Sequence, residues 1–282
     1  MGRNMLVIGE RNINGNFGSV KLAGELTVKE STVKSLYGAG EVNIIKSELG
    51  KIYIAGELNA DSITFDSIKV AGEISMKGVC QGKLLVAYGD LSSEYLECQI
   101  LKNGKFKSSS SNSGYCKWHG TIKATTFENY LEAGLDFDYE FQNIISYEML
   151  SCQSEIMCEH FYGLSPINAP AINAEYIFIQ NHESTYIELL AGSKVIISSS
   201  FNPDKLYKSI PKSKALKVKP ENKVMTNIRN IEADYVQIEY TASDLVSGHD
   251  VIVGDLCMIE RVEYRNSVKI SDKAIVNELV QG

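Results

Sequence analysis

Long apolar runs and an excess of positive charge are both missing from this sequence. There is no stretch of about 18 apolar residues, so no membrane-spanning helix is encoded. The first apolar run, residues 5–8, is shorter than the roughly 7–15 residues of a secretory signal. The net charge of -7 argues against nucleic acid as a partner, because phosphate binding needs a basic surface. We therefore expect a cytoplasmic protein that does not bind nucleic acid.

Paired cysteines, proline and tryptophan are also scarce. The six cysteines contain no Cys-x-x-Cys pair, so in a reducing cytosol we interpret them as free thiols, most of them in the core. Trp118 is the only tryptophan, which leaves little material for a sugar-stacking groove. The chain has 5 prolines against 22 glycines, and the glycines are spaced rather than clustered. Their spacing decides the interpretation of the fold.

A short sequence repeat runs through the first half of the chain. Glycine followed by a charged or polar residue and then an apolar one recurs, and the offsets between successive glycines are 16, 16, 16, 17, 15 and 16. An earlier Gly9-Glu10 starts the series at an offset of 15 before the first of these corners. The seven corner glycines are Gly24, Gly40, Gly56, Gly72, Gly89, Gly104 and Gly120. Self-similarity at a fixed period is the signature of a repeat architecture.

Between the glycines, apolar and polar residues alternate as in β-strands with one inward face, for example at 52–54 and 68–70. Three strands of 3–4 residues and three corners form one coil, and stacked coils build a continuous core. We therefore predict an all-β fold, a parallel β-helix (solenoid) with 16–17-residue coils of three short strands. The alternative is a β-sandwich with chance spacing, which the in-phase glycines argue against.

The repeat continues beyond a change in composition. The pattern apolar, polar, Ala, acidic, any, apolar, polar, apolar occurs at 58–65 and again at 172–179 and 231–238. Residues 201–225 differ, because they hold three of the five prolines and seven lysines. These lysines are Lys205, Lys208, Lys212, Lys214, Lys217, Lys219 and Lys223. We predict coils over 1–200 and 226–282, separated by a Lys- and Pro-rich loop or linker over 201–225. This basic loop is either a solvated excursion or a docking arm for an acidic partner or anionic lipid.

The residue after the corner glycine is acidic in five successive coils. Stacking predicts an acidic ladder with its carboxylates about 5 Å apart. The ladder consists of Glu25, Glu41, Glu57, Glu73 and Asp90. Either these side chains spread into solvent or pair with lysines such as Lys21 and Lys69, or the ladder binds divalent cations or a basic partner.

The Gly-Glu-apolar corners at Gly24, Gly40, Gly56 and Gly72 resemble those of the bactofilins, polymer-forming β-helical cytoskeletal proteins of bacteria. The tail at 231–238, 251–254 and 259–264 is similar to that of longer bactofilin-like proteins of Gram-positive bacteria. This resemblance implies a right-handed β-helix and end-to-end self-association without nucleotide. It also implies a scaffolding role near the membrane or envelope, with an envelope or membrane-associated protein as a partner.

The two ends of a β-helix are unpaired strand edges, which act as templates for association. Neither terminus shows the pattern of a helical cap, so we predict end-to-end association through at least one edge, weakened by Leu6→Lys or Val276→Lys. The predicted assembly edges are Leu6, Val7 and Ile8 at the N-terminus and Ile275, Val276 and Leu279 at the C-terminus. The favoured function is thus a structural scaffold. The alternative is a monomeric or dimeric cytosolic adaptor that binds through the coil face or the basic loop.

Enzymatic chemistry has little support in the sequence. The four histidines, His119, His160, His182 and His249, lie in dissimilar contexts, and the glycine period differs from that of hexapeptide acyltransferases. Cysteine and histidine lie close in sequence at 116–119 and 152–160, but the spacings fit no closed zinc site. We therefore predict a protein that is not an enzyme and has no metal or cofactor.

Overall fold

The structure, a computed structural model, describes residues 2–104, 117–180, 185–199 and 224–282. In these ranges the regular elements are all β-strands, paired in parallel as the stacked coils of a β-solenoid, which confirms the predicted fold class. The chain forms two compact units, 1–142 and 143–282. The boundary between them falls within β8 (Asp138–Ser146).

In its described residues, the first unit contains seven strands before that boundary. They are β1 (Arg3–Ile45), β2 (Glu48–Asp61), β3 (Thr64–Ala71), β4 (Ile74–Ala87), β5 (Leu91–Asn103), β6 (Trp118–Asn129) and β7 (Ala133–Gly134). The strands are longer than the 3–4 residues that alternation predicts, because successive corners stack in register and the hydrogen-bond ladder continues through them. β1, for example, covers 43 residues.

The core of the first unit is built from columns of inward side chains at the predicted step. Leu36 pairs with Ile52 and Ile52 with Ile68, each one coil further on. All three side chains are essentially fully buried. Their outward neighbours, such as Tyr37 and Tyr53, are exposed. The alternation in the sequence therefore gives the two faces of each strand.

One corner of these coils requires glycine. Gly24, Gly40, Gly56 and Gly72 have φ values of 131° to 143°, which L-residues with a side chain rarely adopt. A Cβ built on each of them would overlap the carbonyl oxygen of the glycine one coil earlier. The glycine column thus lets consecutive corners approach one another closely.

A second corner adopts the left-handed conformation without glycine in most coils. Glu30, Lys46 and Ser62 have φ values of 45°, 47° and 55°, and Gly78 follows at 57°. The backbone N–H of Lys46 donates to the carbonyl of Asp61, and that of Ser62 donates to Lys77, at 2.9 and 3.1 Å. The corner is therefore held by the next coil, although side chains at this φ are strained.

We expect Lys46→Gly to stabilise the protein by about 0.5–1 kcal/mol, because glycine removes left-handed strain that exceeds its own entropic cost. Urea unfolding followed by circular dichroism measures the change. The matched control is Lys51→Gly, an exposed strand position where glycine is expected to destabilise by a similar amount. A destabilisation by Lys46→Gly would contradict the assigned corner geometry.

The glycine series was predicted to continue through Gly104 and Gly120, and this is wrong. Leu91 pairs with Trp118 and Leu101 with Phe127, so this coil step is much longer in sequence than the steps before it. Gly120 lies beside Ser93, and the Gly104 N–H donates to Ala87, so neither occupies the glycine corner. An insertion therefore separates β5 from β6, and the two glycines kept the period by coincidence.

The second unit continues from residue 143 with strands paired in chain order. They are β9 (Leu150–Ser151), β10 (Ile156–Gly163), β11 (Ile167–Gln180), β12 (Tyr186–Ser198), β13 (Thr226–Ile238), β14 (Thr241–Val253), β15 (Met258–Ile270) and β16 (Ile275–Gln281). β10 to β16 pair successively, β10 also pairs with 143–146, and β9 pairs with β11. The predicted repeat holds here, since Ile172 and Ile231 both pair with Leu190 in one buried column.

The predicted loop lies between two directly paired strands. Tyr186 of β12 pairs with Asn227 of β13, so the coil stack closes across residues 200–223, which lie outside the described residues. Glu239 anchors the end of β12, because its carboxylate accepts hydrogen bonds from Ser198 Oγ and from the Ser199 N–H and Oγ at 2.6–2.9 Å. The division at 142/143 was not predicted.

Candidate functional site

The C-terminal end of the second unit exposes its own core. The inward column Ile172, Leu190, Ile231, Val246 and Val262 is fully buried, but the next member, Leu279, is 47% exposed. Exposure also rises at the end of a neighbouring column, in which Val253 is 1% exposed and its partner in the next coil, Ile270, is 37% exposed. β16 pairs with β15, and in the described residues no strand covers its other side. This C-terminal edge, Ile270 and Ile275 to Leu279, thus combines an unpaired backbone edge with apolar side chains.

The three predicted C-terminal edge residues point in two directions. Val276 pairs with the buried Ile259 and Leu279 with Val262, so both belong to inward columns. Ile275 pairs with Met258 and points outward. The sequence did not single out Ile270, although its alternation with Val268 was visible.

The N-terminal end differs from the C-terminal end. Val7, predicted as an assembly-edge residue, is 1% exposed, so its side chain packs in the core, and its role in assembly stays a prediction. Phe17 in the same coil is also buried, with the guanidinium of Arg3 5.5 Å from its ring centroid. Leu6 and Ile8 are exposed, because strand alternation directs them opposite to Val7.

The acidic ladder is formed as a row of stacked residues. Glu41 pairs with Glu57, Leu58 N–H donates to the Glu73 carbonyl, and Ile74 N–H donates to the Asp90 carbonyl. Gly24 stacks on Gly40, which places Glu25 at the start of the row.

Two members of the ladder have amide partners. Glu41 and Glu57 each accept a hydrogen bond at 3.0 Å from the asparagine two positions later, Asn43 and Asn59. In the part of the chain that the structure describes, no three His, Cys, Asp or Glu side chains form a group that could hold a metal ion. The ladder is thus a row of stacked acidic residues in which Glu41 and Glu57 have local amide partners, and cation binding stays a prediction.

The remaining predicted site is the basic loop. The seven lysines of the basic loop, Lys205, Lys208, Lys212, Lys214, Lys217, Lys219 and Lys223, lie outside the described residues.

The cysteine and histidine side chains of the second unit are engaged separately. His160 Nδ1 lies 2.9 Å from Asn143 Oδ1, and Cys152 Sγ lies 3.5 Å from Ser154 Oγ. Burial raises the pKa of the Cys158 thiol to about 12, as it does for Cys98 in the first unit. These thiols remain protonated at neutral pH, so they are poor nucleophiles. Cys116 lies outside the described residues.

A lateral groove of about 600 Å³ crosses the last coils of the second unit. Its lining comes from the first few positions of β12, β14, β15 and β16 and the corresponding positions of β13. Tyr186, Met258 and Ile275 form its apolar side and are all more than half exposed. The sequence analysis missed this groove, because its residues are far apart in sequence.

Comparison with known proteins identifies no relative. No family model, no curated protein and no solved structure matches the chain. The resemblance to bactofilins therefore stays a prediction. Among the described residues, no helix has the length and apolar character needed to cross a membrane.

Proposed function

We propose that this protein is a non-enzymatic structural scaffold that self-associates end to end through the C-terminal edge of its β-solenoid. The observation that carries the proposal is the uncovered core at that edge, where Leu279 continues a column whose other members are fully buried. A further coil placed on β16 would bury Leu279 and Ile270 and pair the open backbone edge.

A second copy of this chain is the partner that the edge fits best. Consecutive coils in this protein already match one another in backbone register and in inward apolar side chains. A second copy brings the same coil geometry and the same kind of inward apolar residues. The resemblance of the Gly-Glu corners to those of bactofilins supports the same function.

We expect Leu279→Lys to weaken self-association at least about a hundredfold, because the interface would then bury an unpaired charge. Sedimentation velocity over a range of protein concentrations measures the change, and negative-stain electron microscopy at several salt concentrations shows the shape of the assemblies. The wild-type protein is expected to form elongated particles of more than one copy.

The matched control for this experiment is Met258→Lys. Met258 is one coil further in, is exposed to a similar degree and points outward, so its replacement is expected to leave assembly unchanged. Uniform monomers of wild-type protein at every concentration, or equal assembly of wild type and Leu279→Lys, would overturn the proposal.

A further inference from the structure

The lateral groove is made of two parallel columns of outward side chains that run across five coils. In one column Tyr186 pairs with Asn227, and Ala242, Met258 and Ile275 follow, with one member in each coil. The small Ala242 lies between larger neighbours, which produces the depression. Exposed apolar side chains thus lie at both ends of the column, Tyr186 at one end and the adjacent Met258 and Ile275 at the other, and exposed apolar surface of this kind marks interaction sites.

The second column lies two positions further along each strand and carries a net negative charge. Arg229, Asp244, Glu260 and Asn277 line the groove, and Glu188 continues the same column beside it. Arg229 Nε lies 3.5 Å from Asp244 Oδ2, so these two charges compensate each other. Glu260 Oε2 accepts a hydrogen bond from the neutral amide of Asn277 at 2.6 Å, and Glu188 is exposed. A ligand in the groove therefore meets an apolar side and an acidic side.

The direction of the groove selects the shape of the ligand. The groove runs perpendicular to the strands, so a peptide cannot bind in it by adding a strand. Coils follow one another at about 4.8 Å, close to the 5.4 Å pitch of an α-helix. A helix along the groove would therefore place successive turns opposite successive coils. Four coil steps cover about 19 Å, the length of about 13 helical residues.

We propose that this groove binds an amphipathic α-helix of a partner protein, with an apolar face on the Tyr186, Met258 and Ile275 side and lysine or arginine on the flank facing Glu188 and Glu260. The binding surface shares Ile275 and Asn277 with the C-terminal edge, but Leu279 and Ile270 do not line it. Docking of a helix's apolar stripe in a groove is a common recognition mode, and flexible methionine side chains suit such surfaces. The scaffold would in this way hold a second protein along its side.

The test uses fluorescence anisotropy with the full-length protein and a labelled helical peptide of about 13 residues, the length of the groove. Its leucines are spaced at helical intervals of three and four, and its flank carries lysine. The control peptides carry glutamate in place of lysine, or the same residues in an order without helical spacing. Micromolar binding of the lysine peptide and at least about tenfold weaker binding of both controls is expected.

Two variants test whether the peptide binds in the groove. Met258→Lys is expected to weaken binding of the lysine peptide at least about tenfold. Glu260→Gln is expected to weaken binding of the lysine peptide several-fold and to leave binding of the glutamate peptide unchanged. Tyr53→Lys, an equally exposed apolar position of the first unit, is the control and is expected to bind normally. Absence of binding, or equal binding by all variants, would overturn the proposal.

The same assay tests whether the chain's own basic loop occupies the groove. A full-length variant with Lys214, Lys217 and Lys219 changed to serine is expected to bind the lysine peptide as the wild type does. Binding at least about tenfold tighter in that variant would mean that the basic loop competes for the groove, which overturns the assignment to a partner helix. Leu279→Lys is expected to leave peptide binding unchanged, so failure of this proposal is distinguishable from failure of the proposed self-association.

Discussion

Replacing Gly56 by alanine is expected to destabilise the protein by about 3–5 kcal/mol, through backbone strain and overpacking together. Gly56 has φ 139°, and a Cβ there would overlap the carbonyl oxygen of Gly40. That carbonyl is backbone and cannot rotate away as a side chain would. Because stabilities of folded domains are commonly about 5–15 kcal/mol, one such change threatens the whole first unit. Urea unfolding followed by circular dichroism measures the loss.

Gly9→Ala separates the two causes of this loss. Gly9 begins the same column and has φ 82°, but a Cβ there would meet nothing within 4 Å. Its replacement is therefore expected to cost only the backbone strain, about 1–2 kcal/mol. Equal losses in the two variants would show that φ alone, and not the close approach of stacked corners, makes glycine necessary.

Asn103→Ala is the second change with a large expected effect, about 3 kcal/mol of destabilisation, because it removes hydrogen bonds from fully buried groups. Asn103 is fully buried, and its Oδ1 accepts a hydrogen bond from the Tyr130 N–H at 2.6 Å. Its Nδ2 donates to Asn129 Oδ1 at 2.5 Å and to the Leu131 carbonyl at 3.1 Å. The side chain thus joins two coils at the site of the insertion. Thermal and urea unfolding measure the change.

The matched control for this prediction is Asn59→Ala. The Asn59 side chain makes one exposed hydrogen bond, to Glu57 Oε1 at 3.0 Å, so its loss is expected to change stability by less than about 0.5 kcal/mol. A small effect of Asn103→Ala, similar to the control, would show that water replaces the buried hydrogen bonds.

The coil architecture was predictable, because it depends on a periodic requirement that each coil meets with its own residues. Glycine is needed wherever the Gly24 corner recurs, and inward positions such as Leu36 and Ile52 must be apolar. The left-handed corner at Glu30, Lys46 and Ser62 escaped prediction, since three ordinary residues occupy it and the next coil supplies the compensating hydrogen bond.

The direction of each side chain at the N-terminal edge was not predictable. Strand alternation was visible at residues 5–8, but sequence could not decide that Val7 is the inward member and Leu6 and Ile8 the outward ones. A shift of phase by one position exchanges the two faces, and the first coil has only one neighbouring coil to fix the phase.

By itself the sequence determined the all-β solenoid, its regular coil step and its inward columns, because these follow from a local pattern repeated along the chain. Only the tertiary structure decided the coil register across the insertion before Trp118, the exposure of Leu279 and the groove beside Met258. Each of these depends on which coil lies next to which, and two insertions of unequal length separate neighbours in space from neighbours in sequence.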